Sequence, residues 1–367
     1  MRLGVIGALV LAIALGAARA AQPATTNHSP FVGPQIYSIG VDGRGRTNLT
    51  QGRGWDDRLA RAPNGRTLAF VRWVPGATPN EGVEGLWTMR ADGSGERLLL
   101  VNDAPGCSEC LSRPAWSPDG TRLAVIRSLP SAGLWIVDVR TRAARRVSIA
   151  ATSDFTDAPS WSPDGRAIAF ASADPSTCGI GQYTNCARWS VGVVRSDGTR
   201  MRFVATKAAN PRWSPNGRWI AYRIRDGGES LGLGVVRPDG RAKHRVYPNR
   251  LRIGAVGGFR WSPFGQLLFN ASSGAILAAS PDRRAVVRTR LVGLLFEGFF
   301  EWSPSRARVA AIWSPNSRTR PQIWVQSADG SARRRVTNEQ HVSEIPGGPF
   351  LRDVAWSREG RRLFYVY

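Results

Sequence analysis

A tryptophan followed by a Ser-Pro-Asp-Gly turn returns along this chain every 41 to 55 residues. The motif is complete at Trp116 to Gly120 and at Trp161 to Gly165. Altered copies begin at Trp213, Trp261, Trp302 and Trp356, and one copy begins at Arg61 in place of the tryptophan. A period of this size is typical of an array of supersecondary units, none of which can bury its apolar face alone. The repeat therefore constrains the architecture far more than the activity.

Each unit reads as four short antiparallel strands. In the unit that begins at Ala115, a short strand reaches the Pro-Asp-Gly turn and a second strand continues to Ile126. A third strand spans Gly133 to Asp138, and a fourth ends at Ser148. Aspartate and glycine at the turns fit this pattern because both tolerate the positive φ that tight turns require. The repeated tryptophans are predicted to pack between neighbouring units, and the motif aspartates to shape turns rather than to catalyse.

The two ends of the chain complement each other. The first copy, Ile36 to Gly43, has the third strand and its Asp-Gly turn but no tryptophan turn before it. The last copy has the tryptophan turn at Trp356 to Gly360 and a strand after it, and then the chain ends. Six complete units and one shared unit predict an all-β, seven-bladed β-propeller over residues 36–367, with a six-bladed ring as the alternative. Ring closure protects the strand edges that an open sheet exposes.

These repeats resemble the WD40-like PD40 repeats of the TolB family. The two complete copies match the family's WSPDG signature, and Leu86 to Gly95 resembles its LW-x-x-x-ADGSG segment. The resemblance covers about residues 36–367 and implies a propeller, but it implies little about activity, because such blades serve as adaptors and as domains attached to peptidases. TolB proteins carry an N-terminal α/β domain, for which residues 21–35 leave no room. We therefore expect a TolB-like propeller rather than TolB itself.

Residues 1–20 have the pattern of a secretory signal. Arg2 precedes a mostly apolar run from Leu3 to Leu15, and Ala18 and Ala20 form a small-x-small cleavage site. The run is too short to span a bilayer, and no later stretch is long and apolar enough. We expect cleavage after Ala20, a flexible leader at residues 21–35 and a periplasmic or extracellular protein without a membrane span.

The formal net charge is +23, and nearly all of the positive charge is arginine, since Lys207 and Lys243 are the only lysines. Two interpretations stay open. A genome rich in G and C would supply arginine without a ligand, whereas a basic face would bind an acidic polymer. The arginines are spread over all repeats rather than packed into one run, so nucleic acid is not the expected partner.

Four cysteines, Cys107, Cys110, Cys178 and Cys186, are an even number in a chain with a predicted secretory signal. This favours two local disulfides, Cys107–Cys110 and Cys178–Cys186. The alternative is a four-thiolate zinc site, which usually has two C-x-x-C pairs, whereas the second spacing here is C-x7-C.

Catalytic signals are weak. Gly228 to Gly232 matches the G-x-S-x-G pattern around Ser230, but that pattern needs a strand-to-helix turn, and Ser230 falls between two predicted strands. The chain has three histidines, His28, His244 and His341, and no metal-binding spacing or phosphate loop. We expect no catalytic residues, no cofactor and no bound metal.

The long connections all fall on one face of the predicted disc. They are the segments 73–84, 103–113, 172–187, 313–321 and 338–349. Long loops on one face of a rigid scaffold indicate a working surface. Trp73, Tyr183 and Trp313 are its candidate apolar contacts. The mouth of the channel on this face is predicted to be lined by residues that precede each tryptophan turn, namely Asp57, Arg58, Arg113, Asp157, Asn210, Arg212, Arg260, Glu301 and Asp353.

Mixed arginines and carboxylates at the channel mouth allow two interpretations. They bind an acidic group by charge-assisted hydrogen bonds, or they pair with one another and fill the channel. The leading hypothesis is an exported, non-enzymatic propeller that binds an envelope or extracellular protein or peptide through its long-loop face. The alternative is an enzyme or sensor that acts on a polyanionic carbohydrate or peptide in the channel.

Overall fold

The computed structural model contains seven four-stranded antiparallel sheets arranged as the blades of a β-propeller. This confirms the seven-bladed prediction over the six-bladed alternative. The residues that the structure describes are 33–76, 81–102, 107, 110–128, 132–148, 158–174, 176, 188–226, 229–246, 258–270, 275–293, 299–314, 320–338 and 351–367. Every structural statement below concerns these residues.

The first six blades follow each other along the chain, and each runs from its innermost to its outermost strand. Strands are numbered in chain order, so two N-terminal strands, β1 and β2, precede those of blade 1. The strands of blade 1 are β3 (Trp55–Arg61), β4 (Thr67–Val74), β5 (Val83–Arg90) and β6 (Arg97–Val101). Those of blade 2 are β7 (Ala115–Trp116), β8 (Arg122–Arg127), β9 (Gly133–Asp138) and β10 (Ala144–Ser148). Those of blade 3 are β11 (Ser160–Trp161), β12 (Ala167–Ala173), β13 (Trp189–Arg195) and β14 (Arg202–Thr206).

The second half of the ring repeats this plan. The strands of blade 4 are β15 (Ala208–Trp213), β16 (Ile220–Asp226), β17 (Glu229–Val236) and β18 (His244–Arg245). Those of blade 5 are β19 (Phe259–Trp261), β20 (Leu267–Asn270), β21 (Ile276–Ser280) and β22 (Arg283–Arg288). Those of blade 6 are β23 (Phe300–Trp302), β24 (Arg308–Trp313), β25 (Gln322–Ser327) and β26 (Arg333–Arg335).

The seventh blade is shared between the two ends of the described chain. Its strands are β27 (Arg352–Trp356), β28 (Arg362–Val366), β1 (Ile36–Gly40) and β2 (Thr47–Asn48), in the order β27-β28-β1-β2 from the innermost strand outwards. The antiparallel register joins Ile36 to Val366 and Gly40 to Arg362. Hydrogen bonds between the first and last strands therefore close the ring.

The core lies between blades rather than within one sheet. The second strand of each blade is covered on both faces, so its side chains are buried almost without alternation, as in β4 and β12. Between blades 2 and 3, Ile126 packs in one cluster with Trp161, Ile168 and Phe170. Small residues such as Ala124 and Ala169 are fully buried at such contacts. Burial on both faces explains why these strands read as continuous apolar runs.

The repeated tryptophans join each blade to the one before it. Four indole Nε1 groups donate to a backbone carbonyl of the preceding blade's innermost strand. The pairs are Trp116 to Ala60 at 3.1 Å, Trp161 to Ala115 at 3.0 Å, Trp261 to Arg212 at 2.9 Å and Trp356 to Glu301 at 3.0 Å. Trp213 and Trp302 pack in interblade clusters without such a bond. A buried indole thus removes a large apolar surface from water and also donates one hydrogen bond to the neighbouring blade.

In the two complete motifs, after Trp116 and Trp161, the turn is fixed by its serine and aspartate. The Ser117 hydroxyl donates to Oδ1 of Asp119 at 2.5 Å and accepts from the backbone N–H of Arg122 at 3.0 Å. Gly120 has a φ of +71°, which a residue with a Cβ adopts at a cost. The hydrogen bonds of the motif aspartate therefore stabilise its own turn.

Side chains on the outer strands also join neighbouring blades. Arg202 of blade 3 donates from Nε and Nη2 to the carbonyl of Pro238 in blade 4, at 3.1 and 2.8 Å. Equivalent bonds run from Arg97 to Arg140, from Arg145 to Ser196, from His244 to Pro281 and from Arg334 to Val41. Part of the arginine content is therefore structural.

The antiparallel order divides the disc into two faces. The turns between the first and second strands and between the third and fourth strands lie on one face, which we call the turn face. The connections between the second and third strands and between successive blades lie on the other, which we call the loop face. The predicted channel mouth belongs to the loop face because its residues precede each tryptophan turn.

Candidate functional site

The candidate site is the channel mouth on the loop face. The structure brings four of its predicted residues, Asp57, Arg58, Arg113 and Asp353, into one region where blades 1, 2 and 7 meet. Asn210, Arg212, Arg260 and Glu301 lie on the innermost strands of blades 4, 5 and 6. Asp157 lies outside the described residues.

Arg113 and Asp353 connect three blades. The Arg113 guanidinium pairs with the Asp353 carboxylate, and its Nη1 also donates to the Leu59 carbonyl at 2.7 Å. The second carboxylate oxygen of Asp353 accepts from the Leu59 N–H at 2.7 Å. Asp353 is 1% exposed. Burial raises its pKa, with Asp57 adding to the rise and Arg113 opposing it. The ion pair therefore fixes the position at which the shared blade meets blade 1.

Three of the innermost strands carry a bulge at the same place. Arg58, Asn210 and Asp353 each lie three residues before the tryptophan position and have φ values of 57°, 54° and 49°. The register shifts at each of these points. Non-glycine residues adopt this left-handed region at a cost of about 1–2 kcal/mol. The surrounding contacts hold these side chains at the mouth despite that cost.

Arg58 connects the channel mouth to the cysteine pair through Glu84. Its Nη1 lies 2.9 Å from Oε1 of Glu84, whose side chain is completely buried. The other oxygen of Glu84 accepts from the N–H groups of Cys110 and Leu111, both at 2.8 Å. Burial raises the pKa of Glu84, and Arg58 and the two N–H groups oppose the rise. Sequence reasoning missed Glu84 because it lies on the third strand of blade 1, far along the chain from Arg58.

In the structure Cys107 and Cys110 form a disulfide, with their Cα atoms 5.8 Å apart. The N–H of Cys110 donates to Glu84, which connects the cysteine pair to Arg58 at the channel mouth. Cys178 and Cys186 lie outside the described residues, so their predicted pairing stays a prediction.

The other half of the mouth contains Glu301 and Arg212, which lie on the innermost strands of blades 6 and 4. The Glu301 carboxylate lies 3.9 Å from Nη2 of Arg61, the residue that replaces the first tryptophan. The Glu301 side chain is 36% exposed, yet burial raises its pKa while Arg260 and Arg61 oppose the rise. Arg212 donates from Nη1 to the carbonyls of Ala158 and Pro211, both at 2.9 Å. The Glu301 carboxyl group is therefore more accessible than that of Asp353, whose side chain is 2% exposed.

The aromatic candidates are arranged differently from the prediction. Trp73 is only 9% exposed because Trp55 stacks against it, with ring centroids 4.6 Å apart. Trp55 is 39% exposed and pairs with Trp73 in the register of β3 and β4. The candidate Trp73 is therefore largely covered, and Trp55 presents the more exposed aromatic surface of blade 1.

Trp313 is half-buried in blade 6, with its ring 5.3 Å from that of Trp324. The shared blade separates blade 6 from blade 1, so Trp313 and Trp73 belong to different parts of the loop face. Tyr183 lies outside the described residues.

A buried ion cluster near the mouth had no clear signal in the sequence. Arg72 binds Asp56 through Nε at 2.6 Å and Nη2 at 3.1 Å, and binds Glu96 through Nη1 at 2.9 Å. Asp56 is 0% and Arg72 2% exposed. Burial raises the pKa of Asp56 to about 6, although Arg72 opposes the rise. Arg72 lies within the apolar strand β4, and Asp56 lies on the neighbouring strand β3. The pattern of polar and apolar residues along each strand does not predict that these two charges pair.

Neither a metal centre nor a hydrolase triad emerges from the described residues. They contain no group of three His, Cys, Asp or Glu side chains that could hold a metal ion. Ser230 lies in β17, opposite Arg225 of β16, and thus in a strand-to-strand hairpin rather than a nucleophile turn. His244 hydrogen-bonds through Nε2 to the Pro281 carbonyl at 2.9 Å. His28 and His341 are outside the described part of the chain.

Within the described part of the chain, no helix has the length and apolar character needed to cross a membrane. The predicted signal segment lies outside the described residues, so its assignment stays a prediction.

Comparison with known proteins shows the fold. No family model matches the chain. No curated protein matches it either. Among solved structures, oligogalacturonate lyase from Vibrio parahaemolyticus is similar with a TM-score of 0.60 and 10% identity, over 91% of this chain and 97% of that one.

Two further structures extend this comparison. A puromycin-hydrolyzing peptidase from Mycobacterium tuberculosis is similar with a TM-score of 0.57 and 15% identity, over 91% of this chain and 57% of that one. TolB from Acinetobacter baumannii is similar with a TM-score of 0.46 and 16% identity, over 88% and 67% of the two chains. The similarity to the lyase and the peptidase shows the fold alone. The PD40 resemblance stays a prediction because no family model confirms it.

Proposed function

We propose that this protein is a non-enzymatic, exported propeller that binds a protein or peptide of the envelope or the extracellular space through its loop face. One observation carries the proposal. Arg58 and Arg113, where blades 1, 2 and 7 meet, pair with buried carboxylates, whereas Trp55 on the same face is 39% exposed and packs against Trp73. The buried charges thus maintain the ring, and the loop face offers the contact surface.

The pairing at the mouth opposes binding in this half of the channel. A ligand that took Arg113 from Asp353 would leave a buried carboxylate without its partner. Breaking a buried ion pair in this way costs about 3–5 kcal/mol. Ligand contacts outside the channel avoid that cost.

Trp55 has the properties of an interface anchor. Tryptophan is enriched among the residues that dominate binding energy, and an anchor gains most when it is fixed before binding. Trp73 covers one side of the Trp55 ring, and the Arg53–Glu96 pair at 2.9 Å lies on the same blade. A basic surface adds selection for an acidic partner and a faster approach.

The proposal is tested with the chain from Ala21 onward as bait for the envelope fraction of the producing cell. A partner identified there is then purified and its Kd measured at low and high salt. Loss of an exposed tryptophan anchor costs about 2 kcal/mol or more, so Trp55→Ala weakens binding by about thirtyfold. Phe264→Ala is the matched control because Phe264 is 65% exposed on the turn face. Recovery of polyanions alone, and only at low salt, contradicts the proposal.

One observation favours the alternative, a channel site for a polyanionic carbohydrate or peptide. Glu301 is accessible from the channel, carries a raised pKa and lies near Arg61 and Arg260. The similar lyase is by name an enzyme of oligogalacturonate, an acidic sugar chain. Turnover of that compound by the wild type, and its loss in Glu301→Gln, would replace the scaffold proposal with the enzyme.

A further inference from the structure

The turn face carries a hollow of about 540 Å³ in blade 3. It lies between the tryptophan turn, which supplies Asp164 and Arg166, and the Asp-Gly turn, which supplies Arg195, Asp197 and Arg200. Arg202, at the start of β14, completes the lining. This volume is in the usual range for small-molecule sites. The hollow is on the opposite face from Trp55 and the channel mouth.

Four arginines converge on this hollow, and most of their donors are unused. All four residues are exposed. No ion pair or hydrogen bond of the guanidinium groups of Arg166, Arg195 and Arg200 is present among the described residues. Arg202 donates from Nε and Nη2 to the Pro238 carbonyl, which fixes its position and leaves Nη1 for a ligand.

The two aspartates at the hollow are committed to their own turns. Oδ1 of Asp197 accepts from the Thr199 hydroxyl at 2.6 Å and from its N–H at 2.8 Å. Oδ1 of Asp164 accepts from the Ser162 hydroxyl at 2.5 Å. These hydrogen bonds lower the pKa of both carboxyl groups, and the positive charges of Arg166 near Asp164 and of Arg195 near Asp197 lower it further. Neither aspartate forms an ion pair with an arginine of the hollow, so four positive and two negative groups leave the hollow basic.

The propeller fold does not require this arrangement, because other blades differ at the same positions. Arg166 directly precedes Ala167, the first residue of the second strand, and Arg195 lies opposite Ala167 on the third strand. In blade 2 the same register gives Thr121 and Asp138, and in blade 5 it gives Gln266 and Ala279. Blade 1 has arginine at both positions, Arg66 and Arg90, but the Arg90 guanidinium donates to the Ser94 hydroxyl at 3.3 Å. Among these blades, a pair of arginines without such bonds is thus a property of blade 3.

Blade 4 has arginines at both positions but uses one of them. Arg237 lies over the ring of Trp219, 5.4 Å from the centroid, and Arg241 in the same turn lies 4.0 Å from the Asp239 carboxylate. In blade 3, Ala167 stands at the position of Trp219, and Asp197, at the position of Asp239, forms no ion pair among the described residues. The arginines of blade 3 are therefore available to a ligand.

We propose that this hollow is a binding site for a small multivalent oxyanion that carries phosphate or carboxylate groups. Guanidinium groups match such groups because their planar N–H donors form paired, charge-assisted hydrogen bonds with two oxygens. Several separate guanidinium groups select a ligand with more than one anionic group. The site is independent of the proposed loop-face function.

The test is isothermal titration calorimetry of the chain from Ala21 onward with pyrophosphate and, separately, with citrate, at constant low ionic strength. One saturable site is expected for at least one probe, and the two probes distinguish a phosphate from a carboxylate ligand. Each hydrogen bond to a charged group contributes about 1.5–3 kcal/mol, so loss of three arginines weakens binding by at least about a hundredfold. The variant is Arg166→Ala/Arg195→Ala/Arg200→Ala.

The matched control is Arg66→Ala/Arg218→Ala/Arg361→Ala. These exposed arginines occupy the position of Arg166 in blades 1, 4 and 7, so the control removes the same charge from the same face without touching the hollow. Retained affinity in the control and loss in the blade 3 variant support the site. Equal loss in both, or no saturable binding of either probe, overturns it. Arg195→Asp, which copies the residue of blade 2, gives the same readout with one substitution if the triple variant does not fold.

Discussion

The channel mouth and the blade 3 hollow use the same residue type in opposite ways. At the mouth, Arg58 and Arg113 bind carboxylates that are almost fully buried. At the hollow, Arg166, Arg195 and Arg200 are exposed and without such partners. Net charge alone therefore says little about ligands: arginines that hold blades together and arginines that face solvent contribute equally to it.

The largest expected effect is at the mouth. Arg113→Ala leaves the Asp353 carboxylate buried without its partner and lowers the free energy of unfolding by about 3–5 kcal/mol. Urea titration followed by tryptophan fluorescence measures this difference. Arg218→Ala, which removes an exposed arginine of blade 4, changes it by less than about 0.5 kcal/mol.

If Arg113→Ala and Arg218→Ala both changed the free energy of unfolding by the same small amount, paired and exposed arginines would not differ in their contribution to stability. The double variant Arg113→Ala/Asp353→Ala sharpens the result. It is expected to lose less stability than the sum of the single variants, because the second substitution removes the charge that the first one leaves unpaired.

The next effect concerns the buried pair of Arg72 and Asp56. The pKa of Asp56 is raised from 3.8 to about 6, so between these pH values the folded state binds a proton that the unfolded state has lost. The contribution of Asp56 to stability is therefore largest below pH 3.8 and declines as the pH rises to about 6, by about 3 kcal/mol in total.

The free energy of unfolding measured from pH 4 to pH 7 checks this sign. Relative to wild type, Asp56→Asn loses this negative slope, because asparagine does not titrate. Parallel pH profiles of the two proteins would show that burial does not shift the pKa of Asp56.

Arg202 is intermediate between the two groups of arginines, since it lines the hollow and also binds blade 4. Arg202→Ala loses its hydrogen bonds to Pro238, and we expect a loss of about 1 kcal/mol in the free energy of unfolding. Arg200→Ala is the control because it removes a neighbouring arginine that has no such bond. A loss as large in Arg200→Ala would show that the interblade bond is not the cause.

The smallest expected effect on stability is that of the Arg166→Ala/Arg195→Ala/Arg200→Ala variant. Exposed residues without partners change the free energy of unfolding by no more than about 0.5 kcal/mol each, and separate sites add. The thermal midpoint of this variant should match wild type, and pyrophosphate should raise the midpoint of wild type alone. A clear fall in the midpoint without ligand would assign these arginines to the structure instead.

The repeat made the fold predictable, because period, turn residues and complementary ends all report local structure. The channel-mouth positions of Asp57, Arg58, Arg113 and Asp353 followed from their distance to each tryptophan turn. Their partners did not follow in the same way, since Glu84 comes from a different strand and its contacts depend on how the blades pack.

The same limit explains Trp55 and Trp73. Both were visible in the sequence, but which ring covers the other depends on the register of β3 and β4. Arg72 and Asp56 lie near apolar neighbours, and no periodicity shows that the two charges meet. The blade 3 hollow was also missed, because an even spread of arginine along the chain hides which of them lack partners in three dimensions.

The shared blade has a mechanical consequence. Its β28 strand pairs with β1 through five registered residues, so one sheet carries the load applied to both ends of the described chain. A pulling force on the two ends would strain this blade first and would open the ring there before any other blade is extended. A load on the two described ends would therefore act on the pairing between the first and last strands, which closes the seven-bladed ring.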